Sequence, residues 1–157
     1  MSRRIVVKSL GPQETRDVGR AIGRSLGLTS VVSLEGELGA GKTLLASGLC
    51  EALGVDVPVT SPTFTLENEY RGQGGRRVIH VDCFRLTGPR ELEELGTFDR
   101  LDDDTVLLVE WGDRVLAALP DDALRVRLDP EGETGRRISI CVPGGVELPG
   151  FEPAEEP

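Results

Sequence analysis

The chain is poor in the side chains that build most metal and thiol sites. It has one histidine and three cysteines among 157 residues. Cys50, Cys83 and Cys141 show no CxxC or Cys/His spacing, and each sits in apolar sequence. They read as buried or partly buried reduced thiols, not as a disulfide framework or a zinc site. Reduced thiols fit a cytoplasmic protein. No apolar run approaches the ~20 residues that cross a bilayer. Arg3-Arg4 is followed by only three apolar residues, too short for a secretory leader. A cytoplasmic location with no membrane partner is therefore expected.

Basic charge is also scarce. Eighteen Lys and Arg face 27 Asp and Glu, a net charge of −9. That argues against a dominant nonspecific grip on nucleic acid, which needs a basic face. Any RNA is expected to be reached through a partner protein. Other absences narrow the class. There is no N-K-x-D, which lowers the case for a guanine-specific GTPase. There is no L-S-G-G-Q-like signature of a transporter ATPase, no arginine-rich lid after Asp82, and no internal repeat.

What is present is Gly36-Glu37-Leu38-Gly39-Ala40-Gly41-Lys42-Thr43, a full match to G-x-x-x-x-G-K-[ST]. Glycines let such a loop wrap so that successive backbone N–H groups point at phosphate oxygens. Lys42 supplies charge to the β- and γ-phosphates, and the Thr43 hydroxyl is placed to ligate Mg²⁺. The context is right. Val31 to Leu34 reads as a buried strand, and Thr43 to Leu53 carries Leu45, Leu49 and Leu53 at helical spacing. Gly54 stands at the C-cap. A helix N-terminus after the loop favours an anion. Lys42 is one of only two lysines against sixteen arginines, and a compact ammonium suits this loop better than a planar guanidinium.

Along the rest of the chain, Ile5 to Val7 reads as a strand. A helix follows from Pro12, with Val18, Ile22 and Leu26 on one face and Gly27 at its end. Phe64 to Tyr70 and Arg77 to Cys83 form an expected antiparallel hairpin across a glycine-rich turn. Arg90 to Leu95 reads as a short acidic helix stopped by Gly96, Thr105 to Val109 as a strand, and Val115 to Leu119 as a helical turn or two. Leu124 to Leu128 and Arg137 to Val142 are strand-like. Asp102-Asp103-Asp104 reads as a solvated loop. The expected fold is α/β: a single P-loop domain over 1–148 with a mixed, partly antiparallel sheet flanked by helices. Residues 149–157 are expected to be a disordered acidic Pro/Glu-rich tail.

A P-loop needs an acidic residue at the end of a neighbouring strand, facing the metal. Asp82 and Glu110 both end apolar runs and both qualify. Thr60, Ser61 and Thr63 are candidates for a phosphate-sensing loop, with turn chemistry around Pro62 as the alternative. Trp111 belongs either to the core or beside the nucleotide. His80 reads as a structural residue of its strand, and Arg85 as a solvated arginine.

Five blocks then appear in order: the glycine loop, Ser61-Pro62-Thr63-Phe64-Thr65-Leu66-x-Asn68-Glu69-Tyr70, His80-x-Asp82-x-x-Arg85-Leu86, Glu91-Leu92-Glu93-Glu94-Leu95-Gly96, and Glu110-Trp111. Together they resemble the bacterial TsaE (YjeE) family, the P-loop ATPase of tRNA threonylcarbamoyladenosine biosynthesis, over about residues 10 to 142. The resemblance implies ATP and Mg²⁺ binding and slow hydrolysis without partners. It implies action with TsaB and TsaD, which transfer threonylcarbamoyl to adenosine 37 of tRNAs reading ANN codons, with hydrolysis supporting turnover of the complex. Glu37 to Thr43 would hold nucleotide, Thr43 and Glu110 match Mg²⁺ positions, and Asp82 matches a carboxylate near the γ-phosphate. Thr15 falls near a position linked to the adenine end. Two departures stand out: Gly112 where the family has proline, and Cys83-Phe84 where it has Leu-Tyr. A small-molecule kinase and a nucleotide-gated binding module without hydrolysis remain as alternatives.

Overall fold

The computed structural model describes residues 2–26, 30–62, 66–146, 148 and 151. Seven strands make one mixed sheet. They are β1 (Arg3–Ser9), β2 (Ser30–Glu35), β3 (Glu67–Arg71), β4 (Arg77–Asp82), β5 (Thr105–Glu110), β6 (Leu124–Glu131) and β7 (Gly135–Val142), in spatial order β1-β7-β6-β2-β5-β4-β3. β6, β2, β5 and β4 run parallel, while β3 and the β1-β7-β6 group pair antiparallel. Every residue of β5 is buried, as expected for a parallel strand covered on both faces. β6 alternates buried and exposed residues through Leu128, so that half of the sheet is covered on one side only.

Helices α1 (Pro12–Ser25) and α2 (Lys42–Ala52) cover one face. Val18 and Ile22 of α1 and Leu45 and Leu49 of α2 meet Val32, Leu34 and Leu108 there. On the other face Ile79, Val81, Leu107 and Val109 pack under Leu92 of α3 (Pro89–Glu94) and under Val115 and Ala123. The α/β class with a mixed sheet is thus as the sequence pattern indicates. Pro12 opens α1. Gly54, at φ +87°, follows α2, and Gly96, at φ +72°, follows α3. β3 and β4 form the antiparallel hairpin. The helical turn expected over Val115–Leu119 is the 3₁₀ turn Leu116–Ala118, preceded by another at Gly112–Arg114. Strands β6 and β7 run further than the apolar residues indicate, because backbone pairing continues from Asp129↔Arg137 to Glu131↔Gly135. The expected helix end at Gly27, strand residues Phe64 and Thr65, and tail residues 149–150 and 152–157 lie outside the described residues. Leu148 is buried, and Phe151 packs partly buried against the first core cluster.

The two helices approach closely because their contact is made of glycine. A Cβ on Gly19 would fall 2.1 Å from the Leu45 carbonyl oxygen, and one on Gly48 would fall 2.0 Å from that of Arg16. No rotamer change relieves a clash with backbone, so the helices would have to part. Gly48→Ala should therefore lose about 1–3 kcal/mol, the usual cost of overpacking, despite the better helix propensity of alanine. Gly88→Ala, where a Cβ meets nothing within 4 Å, should stay within about 0.5 kcal/mol of wild type. Urea unfolding compares the two, and equal midpoints would contradict the close packing.

Candidate functional site

β2 delivers the chain to the glycine loop at the carboxyl edge of the parallel strands. Gly36 sits at φ +142°, and a Cβ there would lie 2.5 Å from the Leu128 carbonyl oxygen. Only glycine lets the loop leave β2 this close to β6. The Ala40 N–H closes a turn onto the Glu37 carbonyl at 3.0 Å, and Gly41, at φ +105°, opens α2. The loop is also held from outside. The Arg136 Nε donates to the Ala40 carbonyl at 2.8 Å, and its Nη2 to the Gly39 carbonyl at 3.2 Å. Carbonyls turned toward Arg136 leave the opposite side of the loop to N–H groups.

Lys42 is buried, and its Nζ donates to the carbonyls of Gly36 at 2.6 Å and Glu37 at 2.9 Å. It also lies 4.1 Å from the centroid of the Trp111 ring. Burial holds its pKa below the usual lysine value, although Glu110, Asp82, Asp113 and Glu37 all pull the other way. The ammonium sits among acidic groups in a partly dry setting, where a charge acts strongly.

Parallel pairing sets the opposite wall. Leu34 of β2 is in register with Glu110 of β5, and Glu110 with Asp82 of β4. Both carboxylates are buried at the strand ends. Glu110 Oε1 accepts from the Thr43 hydroxyl at 3.1 Å, and Oε2 lies 2.6 Å from His80 Nε2. Burial pushes the Glu110 carboxyl up. The hydrogen bonds of His80 and Thr43, with the charge of Lys42, outweigh that and hold it below the usual carboxylate range. Asp82 Oδ2 accepts from the Ser61 hydroxyl at 3.0 Å, and Oδ1 from the Phe84 N–H at 2.9 Å. Between these walls lies an open cleft of about 440 Å³.

Leu38, Gly39, Gly41, Lys42, Thr43, Ser61, Asp82, Glu110 and Trp111 thus face one cleft. Glu37 is exposed and Ala40 is buried within the loop. Thr60 is exposed; its backbone N–H donates to the Tyr70 hydroxyl at 3.2 Å, and its carbonyl accepts from Asn68 at 3.2 Å. Thr63 lies outside the described residues. Thr15 is buried beneath the loop. Its hydroxyl is 2.7 Å from that of Ser9, and its methyl is 3.5 Å from where a Cβ on Gly41 would stand. Trp111, of the two settings open to it, lines the cleft. Its backbone is left-handed at φ +59°, held by a 2.9 Å bond from its N–H to the Leu34 carbonyl. Cys50 and Cys83 are buried free thiols pushed up to about 12, Cys50 by burial, Cys83 by burial and the charge of Asp82. Arg85 is exposed.

Four residues contribute in ways that sequence spacing does not show. Arg136 reaches the loop from 96 residues away. Phe84 stacks on Trp111 with centroids 5.1 Å apart, and Arg114 lies over both rings. His80 is bound to Glu110 rather than only filling its strand.

The donor set suits Mg²⁺. Among the described residues no three His, Cys, Asp or Glu side chains gather as a cage. One hydroxyl and one carboxylate oxygen converge beside the glycine loop, and Mg²⁺ takes few protein ligands, completing its octahedron with water and phosphate oxygens.

A strand, a wrapped glycine loop and a helix N-terminus facing carboxylates on adjacent parallel strands define a P-loop-type fold. The model of the family described as "Threonylcarbamoyl adenosine biosynthesis protein TsaE" matches residues 10–138, and the chain belongs to that family. Relatives named tRNA threonylcarbamoyladenosine biosynthesis protein TsaE include one from Streptomyces coelicolor, 44% identical over 73% of this chain and 78% of its own. Another, from Mycobacterium tuberculosis, is 37% identical over 81% and 80%. One from Bacillus subtilis is 33% identical over 87% and 85%. The crystal structure of Bacillus subtilis YdiB superposes with a TM-score of 0.77 at 28% identity, covering 92% of this chain and 88% of that one.

The glycine after Glu110-Trp111 has a local cause in this chain. A Cβ on Gly112 would fall 1.9 Å from Ser33 Oγ and 2.8 Å from Ser33 Cβ. Gly112→Ala should therefore destabilise by about 1–3 kcal/mol as an overpacked site, and Ser33→Gly in the same chain should recover most of that loss. A double-mutant cycle on thermal unfolding measures the coupling; additive effects would show that the two residues do not share the space.

Proposed function

We propose that this protein is the Mg²⁺-dependent ATPase of tRNA threonylcarbamoyladenosine biosynthesis, a cytoplasmic enzyme that acts with TsaB and TsaD and meets tRNA through them. One observation carries the reading: Lys42, Thr43, Asp82 and Glu110 converge on one cleft beside a complete glycine loop. Family membership and relatives named for this modification support the pathway.

The loop N–H groups and Lys42 bind the β- and γ-phosphates. Lys42 exchanges its two carbonyl bonds for phosphate oxygens, so the site is held open by contacts that substrate replaces. Thr43 and Glu110 would hold Mg²⁺, which would supply charge neutralisation for phosphoryl transfer. Asp82, fixed on both oxygens by Ser61 and the Phe84 N–H, orients the attacking water. Ser61 thereby links the 60–63 loop to the γ-phosphate position. Trp111 and Phe84 close the cleft on the side facing Lys42. Hydrolysis supports repeated turnover of the complex that modifies adenosine 37.

Lys42→Ala should abolish nucleotide binding and hydrolysis. Asp82→Asn should slow phosphate release by about 10²-fold or more, as loss of a positioned base does, while leaving ADP affinity within about threefold. The measurement is phosphate release from Mg-ATP, with and without TsaB, TsaD and tRNA. Equal rates for wild type and Asp82→Asn would remove Asp82 from the mechanism. Binding without hydrolysis under every condition would replace the ATPase by a nucleotide-gated module, and phosphate passed to an acceptor would make it a kinase.

A further inference from the structure

We propose that His80, the only histidine of the chain, is the positioning residue for Glu110: an imidazole whose Nε2–H fixes the carboxylate so that its other oxygen faces Thr43. The inference rests on the Mg²⁺–nucleotide reading of the cleft and adds a residue to it.

The geometry is specific. His80 and Glu110 lie on adjacent parallel strands, with Leu108 as the register partner of His80. Both side chains are buried, His80 completely. His80 Nε2 is 2.6 Å from Glu110 Oε2, and Thr43 Oγ1 is 3.1 Å from Oε1. Each carboxylate oxygen thus has its own partner, and rotation of the group about its bond to the side chain would break both contacts.

The hydrogen-bond inventory assigns the tautomer. An ionised carboxylate only accepts, so Nε2 must carry the proton. Among the described residues, Nδ1 is buried with no hydrogen-bond partner. A second N–H there would be a buried donor without an acceptor, which is costly. A bare Nδ1 lone pair costs less. The ring is therefore the Nε2–H tautomer, with its donor spent entirely on Glu110. A histidine that merely filled the core would have no reason to spend its one donor on the carboxylate beside the glycine loop.

Groups that hold a metal-binding carboxylate in place typically change metal affinity by about 10- to 100-fold when removed. His80 should do so without altering how the loop holds phosphate, because among the described residues its hydrogen bond goes to Glu110 and not to the loop or Lys42. Gln places an N–H as many bonds from the backbone as Nε2 of histidine, whereas Leu fills similar space with no donor.

The experiment uses the sole tryptophan, Trp111, which lines the cleft, as a fluorescent reporter in the full chain. ADP is bound first in EDTA, then Mg²⁺ is titrated in, for wild type, His80→Leu and His80→Gln. We expect the Mg²⁺ midpoint to rise at least tenfold in His80→Leu and to return to within about threefold of wild type in His80→Gln. Metal-free ADP affinity should be unchanged in both. An unchanged midpoint in His80→Leu overturns the proposal. So does an equal loss of metal-free ADP affinity, which marks a general structural role. If His80→Leu does not fold, the comparison of His80→Gln with His80→Asn, whose amide is too short to reach, decides in the same way. The ¹⁵N imidazole spectrum of the wild type, a single ring, must show a protonated Nε2 and a bare Nδ1; the opposite tautomer also overturns it. A wild type that binds no ADP at all would instead refute the nucleotide reading, leaving the spectrum as the test of the His80–Glu110 bond.

Discussion

The site depends on the in-register parallel pairing of β2, β5 and β4. Leu34, Glu110 and Asp82 are successive partners across three strands. That register ends all three strands at one edge and turns Glu110 and Asp82 toward the side from which α2 rises. A slip of one residue would send both carboxylates to the opposite face. The register is enforced by burial on both faces: Val106 and Leu108 pack toward α1 and α2, Leu107 and Val109 toward α3. The apolar core is thus what places the charged groups.

Charge at the cleft is arranged so that each buried ion has a counterpart. Lys42 is desolvated but lies near Glu110 and Asp82. Glu110 is desolvated but bound by His80 and Thr43. Asp82 is held by Ser61 and a backbone N–H. A lone buried charge would be prohibitive, and a hydrogen-bonded set is tolerated. Lys42 spends its hydrogen bonds on loop carbonyls. The glycine loop in turn is braced by Arg136 of β7. The left-handed Trp111 turns its ring over the ammonium.

Much of this was legible in the chain. The glycine loop, its strand and its helix follow from spacing and from residues that only glycine can replace. The α/β class follows from apolar runs of strand length set between helical periods. Asp82 and Glu110 were legible as acids closing apolar runs, although only the register shows that they are neighbours. The turn expected over Val115–Leu119 is the 3₁₀ turn Leu116–Ala118, and Val115, Ala118 and Leu119 pack on the second core face. Gly112 read as a departure from pattern, and its reason lies in Ser33, a residue from another strand.

Short-range sequence is enough for the chemical groups on offer: a glycine loop of the phosphate-binding pattern, one lysine placed in it, a threonine after it, and two acids ending strands. These are local, because loop geometry and helix initiation are decided by residues a few positions apart. Tertiary structure alone decided which groups act on one another. It joined His80 to Glu110, Arg136 to the loop, Phe84 to Trp111, and set Thr15 beneath Gly41 rather than in the cleft. Those pairings depend on sheet order and register, which arise from burying two apolar faces at once, and no spacing along a single segment encodes them.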